Sequence, residues 1–259
     1  MQLTWLDSNS WLMEIAGKTI LLDPWLVGSL MFNNLDWLFK GIKPKSYSIK
    51  QPIDLILLSQ GLEDHAHPPT LKELDHSIPV VGSPNAAKVV KALGYTQVTS
   101  LSHGESYTLD NAISIKAVPG SLVGPQLIEN GYIITDLIDQ NRLYYEPHGY
   151  HSPTLKEESP IDVVITPVVG FNLLYVIPFL QGQKSTLELC KLVKPQFVLP
   201  TATAVGDVQY EGILAKLITQ EGTVESFRQL LADYHLSTQV LTPKPGEIIE
   251  LSLAKGVLT

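Results

Sequence analysis

The chain has 259 residues and a net charge of −8, long enough to bury a substantial core as one large domain or two small ones. The acidic balance excludes nucleic-acid backbone binding as a main task, since that needs clustered Lys and Arg, and only Lys40, Lys43, Lys45 and Lys50 come near a cluster. The single cysteine, Cys190, excludes an intramolecular disulfide and any Cys-rich zinc site.

Cys190 itself lies in a helical pattern and reads as a buried, inert thiol. No basic leader followed by an apolar stretch opens the sequence. The longest apolar segments, 25–39 and 168–180, are broken by Gly, Asn or Pro and fall short of the roughly 20 residues a membrane span needs. The expectation is a cytoplasmic protein without a transmembrane segment.

In chain order, residues 3–6, 11–16 and 19–22 read as short strands, the last two joined at Ala16-Gly17-Lys18 as a hairpin. Residues 53–58 form an almost continuous apolar run, the mark of a strand buried on both faces. The polar loop Ser59-Gln60-Gly61-Leu62-Glu63-Asp64-His65 follows, then a short helix at 70–74 and a strand at 79–82. Ser83 caps the next helix, Pro84 suits its first position, and Ala86, Val89, Val90 and Leu93 form its apolar stripe up to Gly94. Strands follow at 98–101, 106–109 and 113–118, with Asp110-Asn111 turning between the last two.

In the second half Asn130-Gly131 signals a turn, with strands at 132–136 and 142–145. Residues 161–166 form another buried strand. Ser185-Thr186-Leu187-Glu188 reads as a capping box opening a helix that Lys194-Pro195 ends. A strand at 196–199, a helix at 223–234 with Val224, Phe227, Leu230 and Leu231 on one face, and strands at 238–241 and 247–251 complete the chain. Two β-rich halves with helices entering between strands predict an α/β sandwich: two packed mixed sheets flanked by helices, as one domain over residues 1–259.

Asp64 and His65 stand side by side just after a buried strand, where a carboxylate and an imidazole can reach one cation from a tight turn. This arrangement resembles the metallo-β-lactamase superfamily, whose signature is His-x-His-x-Asp-His after such a strand. Leu21-Leu22-Asp23-Pro24 is similar to the Asp-Pro turn in the branch containing L-ascorbate-6-phosphate lactonase and N-acyl phosphatidylethanolamine phospholipase D. Ala117-Val118-Pro119-Gly120, Leu143-Tyr144-Tyr145-Glu146-Pro147-His148 and Phe197-Val198-Leu199-Pro200 follow in the order the family has them.

The departures from the pattern concern the metal. The histidines that hold the first ion in the family fall on Gln60, Leu62 and Gly120-Ser121-Leu122. For the second ion Asp64 and His65 remain, the bridging aspartate falls on or next to His148, and the last histidine falls near Thr201-Ala202. The resemblance therefore implies at most one divalent ion, zinc before manganese or iron, held by Asp64, His65 and His148. Asp64 doubles as the catalytic carboxylate, and Gln60, Glu146 and His151 face the substrate. Glu146 and His151 are also candidates for a fourth ligand or for fixing the His148 tautomer. Asp23 is expected to brace the ligand loop rather than bind metal. His67 joins the site only if the loop is irregular, and His76, His103 and His235 read as loop or surface residues. Asp207, after Val205-Gly206, fits either a pocket or a turn.

The implied chemistry is hydrolysis of an ester, lactone, amide or phosphodiester. A second possibility stays open, in which the scaffold has lost its metal and binds a small apolar metabolite or a protein partner. Two aromatic-rich loops, 24–39 and 170–179, favour an apolar ligand, a partner or a homo-oligomer interface.

Overall fold

The computed structural model describes residues 1–123, 126–174, 177–202 and 206–254. Among these, two seven-stranded mixed sheets pack face to face. The first runs Ile248–Glu250, Gln2–Trp5, Trp11–Ile15, Lys18–Leu22, Leu55–Leu58, Val80–Gly82, Val98–Ser100. The second runs Gln239–Val240, Phe197–Pro200, Val163–Thr166, Arg142–Tyr145, Leu127–Asp136, Ile113–Val123, Ser106–Leu109. Each sheet is antiparallel through its hairpins and parallel across its longer connections, most of them helical, though Lys18–Leu22 reaches its parallel neighbour Leu55–Leu58 through a segment without a helix.

The apolar run ending at Leu58 shows why the layers form. Leu55 and Leu57 face the core between the sheets, whereas Ile56 and Leu58 face the helices outside, as a two-residue side-chain period requires. Helices α1 (Pro68–Glu73) and α2 (Pro84–Ala92) cover that outer face through Leu71, Ala86 and Val90. Helices α3 (Gln183–Val193) and α4 (Val224–Asp233) cover the other sheet through Leu187, Leu189, Phe227 and Leu231. Cys190 is buried there, and burial pushes its thiol up to about 12. No helix among the described residues is long and apolar enough to cross a membrane.

Two local expectations are corrected. Asn130-Gly131 is not a turn but lies inside Leu127–Asp136, paired with Pro119 and Val118. The Asn130 side chain is used in the interior, donating to Leu101 O (2.9 Å), and at Gly131 a Cβ would meet Tyr145 O at 3.2 Å, so the glycine serves close approach between strands. The Ser185 capping box also fails. The helix opens at Gln183 behind Gly182, which supplies no side-chain cap, and the Ser185 hydroxyl donates instead to the Gly149 carbonyl. A capping box does open α4, between Thr223 and Ser226.

The two aromatic loops differ from each other. Segment 24–39 contributes the strand Ser29–Met31, which pairs with Lys40–Ile42 and through it with Gln209–Glu211. Trp25 is fully buried beneath Lys43, whose ammonium donates to Leu6 O and Trp25 O. The second loop forms Gly170–Leu173 and Ile177–Leu180, with Ile218–Glu221 alongside; its Tyr175 and Val176, like Val205, lie outside the described residues.

The sheets are tied together at one edge. The Tyr132 hydroxyl, on the second sheet, donates 2.8 Å to Leu58 O on the first, and the Asn130 amide donates to Ser59 O at 3.2 Å. Both contacts sit where the ligand loop leaves its strand. Tyr132→Phe removes the tie between the sheets but leaves Leu58 O its other donor, the Ser83 amide at 3.2 Å, so it should destabilise the fold by about 0.5–1.5 kcal/mol in urea unfolding.

Candidate metal centre

Asp23 ends the strand Lys18–Leu22, has φ 41°, and is completely buried. Its Oδ1 accepts from the Ser59 amide at 2.7 Å, and its Oδ2 accepts from the Ser59 and Tyr145 hydroxyls, the latter at 2.7 Å. The same Oδ2 lies 2.7 Å from His65 Nδ1. A buried carboxylate is tolerable only with such saturation. The result is an imidazole gripped at Nδ1, with Nε2 turned to the centre.

Three candidate ligands meet there. Asp64, His65 and His148 each offer one donor atom, all within 4.8 Å of one another. Asp64 Oδ2 is 3.1 Å from His65 Nε2, and the two imidazole rings are 5.1 Å apart. Gln60, completely buried, places its amide 3.1 Å from His148 Nδ1, so the contact at that nitrogen falls to Gln60 rather than to Glu146 or His151. In metal sites a ligating histidine donates its second N–H to an acceptor; Asp23 Oδ2 is that acceptor at His65 Nδ1, and Gln60 becomes one for His148 with its amide turned so that Oε1 faces Nδ1.

Glu146 holds the loop instead. Its Oε2 accepts from the amides of His148 (3.1 Å) and Tyr150 (2.7 Å), and Gln181 N donates to His148 O at 2.8 Å. Burial outweighs those amide contacts and raises the Glu146 carboxyl to about 8.

Burial also opposes the charged form of His65, but the neighbouring Asp64 and Asp23 carboxylates prevail and raise it to about 10. His148 goes the other way, lowered to about 4 by burial and then by His65. For Asp64 burial acts upward, and His65 with His148 more than reverses it. His65 is thus the positive partner of Asp64 and Asp23, and His148 beside it is neutral. Asp64 Oδ1 is buried without a hydrogen-bond partner among the described residues, and this spare acceptor on a candidate ligand fits a cation.

The other predicted residues fall elsewhere. His67 turns away and caps α1, with Nδ1 3.0 Å from Thr70 Oγ1 and Nε2 3.2 Å from Ser29 O. His151 pairs through Nδ1 with the Tyr144 hydroxyl at 3.2 Å and lines an open concavity of about 450 Å³ with Gly149, Tyr150 and Ser185. His76 stacks on Tyr95, His103 meets Glu129 O, and His235 is exposed after α4. Asp207 is exposed, and its amide donates 2.8 Å to Asp7 Oδ2.

One neighbour was not expected. Asn9, on the turn between Gln2–Trp5 and Trp11–Ile15, reaches His65 Nε2 at 3.4 Å. Asp7-Ser8-Asn9-Ser10 looks like an ordinary polar turn, and nothing in its composition announces that it is buried.

A family model described as the beta-lactamase superfamily domain matches residues 2–202. The chain belongs to that superfamily. Solved structures with the same fold include the isothiocyanate hydrolase from Delia radicum gut bacteria, at 14% identity and TM-score 0.69, and Igni18, a metallo hydrolase from Ignicoccus hospitalis, at 17% identity and TM-score 0.68. A possible metal-dependent hydrolase from Veillonella parvula aligns at 14% identity with TM-score 0.70. Each alignment covers 97% of this chain and 99% of the other. At such identities the likeness establishes the fold. No curated protein matches the sequence.

Burial holds the His151 imidazole down at about 3. Between its ordinary 6.5 and that value the unfolded chain binds a proton that the folded chain does not, so its contribution to stability falls as pH drops through the window. His151→Phe should make urea stability less pH-dependent between about pH 6.5 and 3 than in the wild type.

Proposed function

We propose that this protein is a metal-dependent hydrolase with a mononuclear centre, in which Asp64, His65 and His148 hold one divalent ion. The observation that carries the reading is the convergence of these three side chains, with Asp23 against His65 Nδ1 and Gln60 against His148 Nδ1. Two imidazoles and a carboxylate suit zinc, and equally iron or manganese. An ion in an open site with three protein ligands acts as a Lewis acid and lowers the pKa of water toward neutrality.

The chain's own residues supply the rest. Asp23 and Gln60 orient the ligands, and Glu146 holds the loop that presents His148. Asp64 Oδ1, with no partner among the described residues, can accept a proton from water or substrate. The substrate carries an ester, lactone, amide or phosphodiester bond. Leu35, Trp37, Tyr210 and Ile213 form an exposed apolar rim, and the Asn33 amide of the same segment donates to Glu63 beside Asp64. That rim favours a substrate with an apolar part. It would equally serve a non-catalytic member that binds an apolar metabolite.

Elemental analysis of protein purified without chelator tests the reading: about one divalent ion per chain is expected, and none after His65→Ala. Unchanged metal content in that variant overturns the ligand assignment. Asp23→Asn, which removes no candidate donor atom but alters the contact at His65 Nδ1 along with those to Ser59 and Tyr145, should weaken metal binding about 10–100-fold in a variant that folds.

A further inference from the structure

The turn that carries Asn9 is unusual in being strained and buried at once. Asp7 and Ser8 are consecutive non-glycine residues at φ 74° and 52°, a conformation that costs about 1–2 kcal/mol per residue. It is held by many bonds. Trp5 Nε1 donates to Ser8 O at 3.0 Å, Thr201 Oγ1 to the same oxygen at 2.9 Å, and Ser8 N to Asp7 Oδ1 at 2.7 Å. Asp207 N, as noted, secures the other Asp7 oxygen. Strain fixed so firmly from outside is characteristic of a segment that must present one side chain. The side chain presented is Asn9, 3% exposed.

Its two side-chain contacts bear on which way the amide points. Asn9 Oδ1 has Thr201 Oγ1 at 3.4 Å and Nδ2 has His65 Nε2 at 3.4 Å. A threonine hydroxyl has one proton; Thr201 Oγ1 is nearer to Ser8 O, which also accepts from Trp5 Nε1 and from Ala202 N at 3.2 Å, than to Asn9 Oδ1. An ion on His65 Nε2 admits an oxygen beside that nitrogen and not an N–H. Oxygen and nitrogen of an amide are assigned from the network rather than observed, and exchanging them satisfies it. Nδ2 then donates to Thr201 Oγ1, which also accepts from Trp11 Nε1 at 3.2 Å, and Oδ1 turns to His65 Nε2.

In that orientation Asn9 Oδ1 and Asp64 Oδ2 both lie beside His65 Nε2, and each of the three can donate an electron pair. Two donors each about 2.1 Å from a shared tetrahedral ion lie about 3.4 Å apart. The separations from His65 Nε2 are 3.4 Å to Asn9 and 3.1 Å to Asp64. We infer that the Asn9 side-chain oxygen is a fourth protein donor to the cation held by Asp64, His65 and His148, set in place by the buried Asp7-Ser8 turn and by Thr201. The inference rests on the metal-centre reading above and adds a ligand that the family signature places nowhere near residue 9.

Cobalt(II) titration of the full chain, followed by visible absorption, tests it alongside zinc calorimetry. Asn9→Ala should weaken both ions at least ten-fold and alter the cobalt d–d bands. Asn9→Asp, nearly the same shape with a charged donor, should bind at least as tightly as the wild type. Wild-type affinity and an unchanged cobalt spectrum in Asn9→Ala overturn the assignment while leaving the three-ligand centre standing. Clearly weaker binding by a folded Asn9→Asp overturns it too, and decides the matter should the alanine variant not fold. A wild-type chain that takes up neither ion removes the metal centre itself, and Asn9's role with it.

Discussion

The Asp23 carboxylate is the interaction on which the centre depends. It is fully buried and sits where the end of one strand, the start of the ligand loop and a tyrosine from the opposite sheet all meet. An ionised carboxylate there is strongly disfavoured unless every lone pair is used. Ser59, Tyr145 and His65 use them, so the requirement to satisfy one charge fixes the loop, the spacing of the sheets and the direction of an imidazole together. Ser10 extends the same anchor, its hydroxyl donating to Asp23 O and accepting from Trp25 N, both at 2.8 Å.

From that anchor the site is a problem of electrostatic balance. Asp23 and Asp64 flank His65, while His148 sits on a loop that Glu146 ties down through backbone amides. The histidines that would hold a first ion are replaced by Gln60 and Leu62, yet Gln60 is not idle. It takes the position from which a contact at Nδ1 steadies His148. The side chains that converge form one candidate centre, Asp64, His65 and His148, with Gln60 against the second imidazole.

The fold was legible because its strongest signals are local. The apolar run before Ser59, the Ser83-Pro84 cap and the Ala16-Gly17 hairpin each follow from side-chain period or backbone preference, and each lies where it was expected. The failures are equally local in origin. Asn130-Gly131 has turn chemistry, but Asn130 is consumed by Leu101 and Ser59 from another sheet, and Gly131 is needed where Tyr145 crosses. Ser185 has cap chemistry but is recruited by Gly149. In both cases a long-range partner outbid the local preference.

The sequence by itself determined the family, the layered architecture and the pairing of Asp64 with His65, because adjacency along the chain and an alternating apolar period are visible without coordinates. Only the tertiary structure decided that His148 joins them, that Gln60 rather than Glu146 or His151 steadies it, and that His67 faces a helix end instead. Residue 9 was beyond reach from the chain alone, since a short polar turn reads the same whether it is solvated or buried. Its meaning arises from Thr201 and His65, which lie 192 and 56 positions away and come within reach of it only when the sheets close.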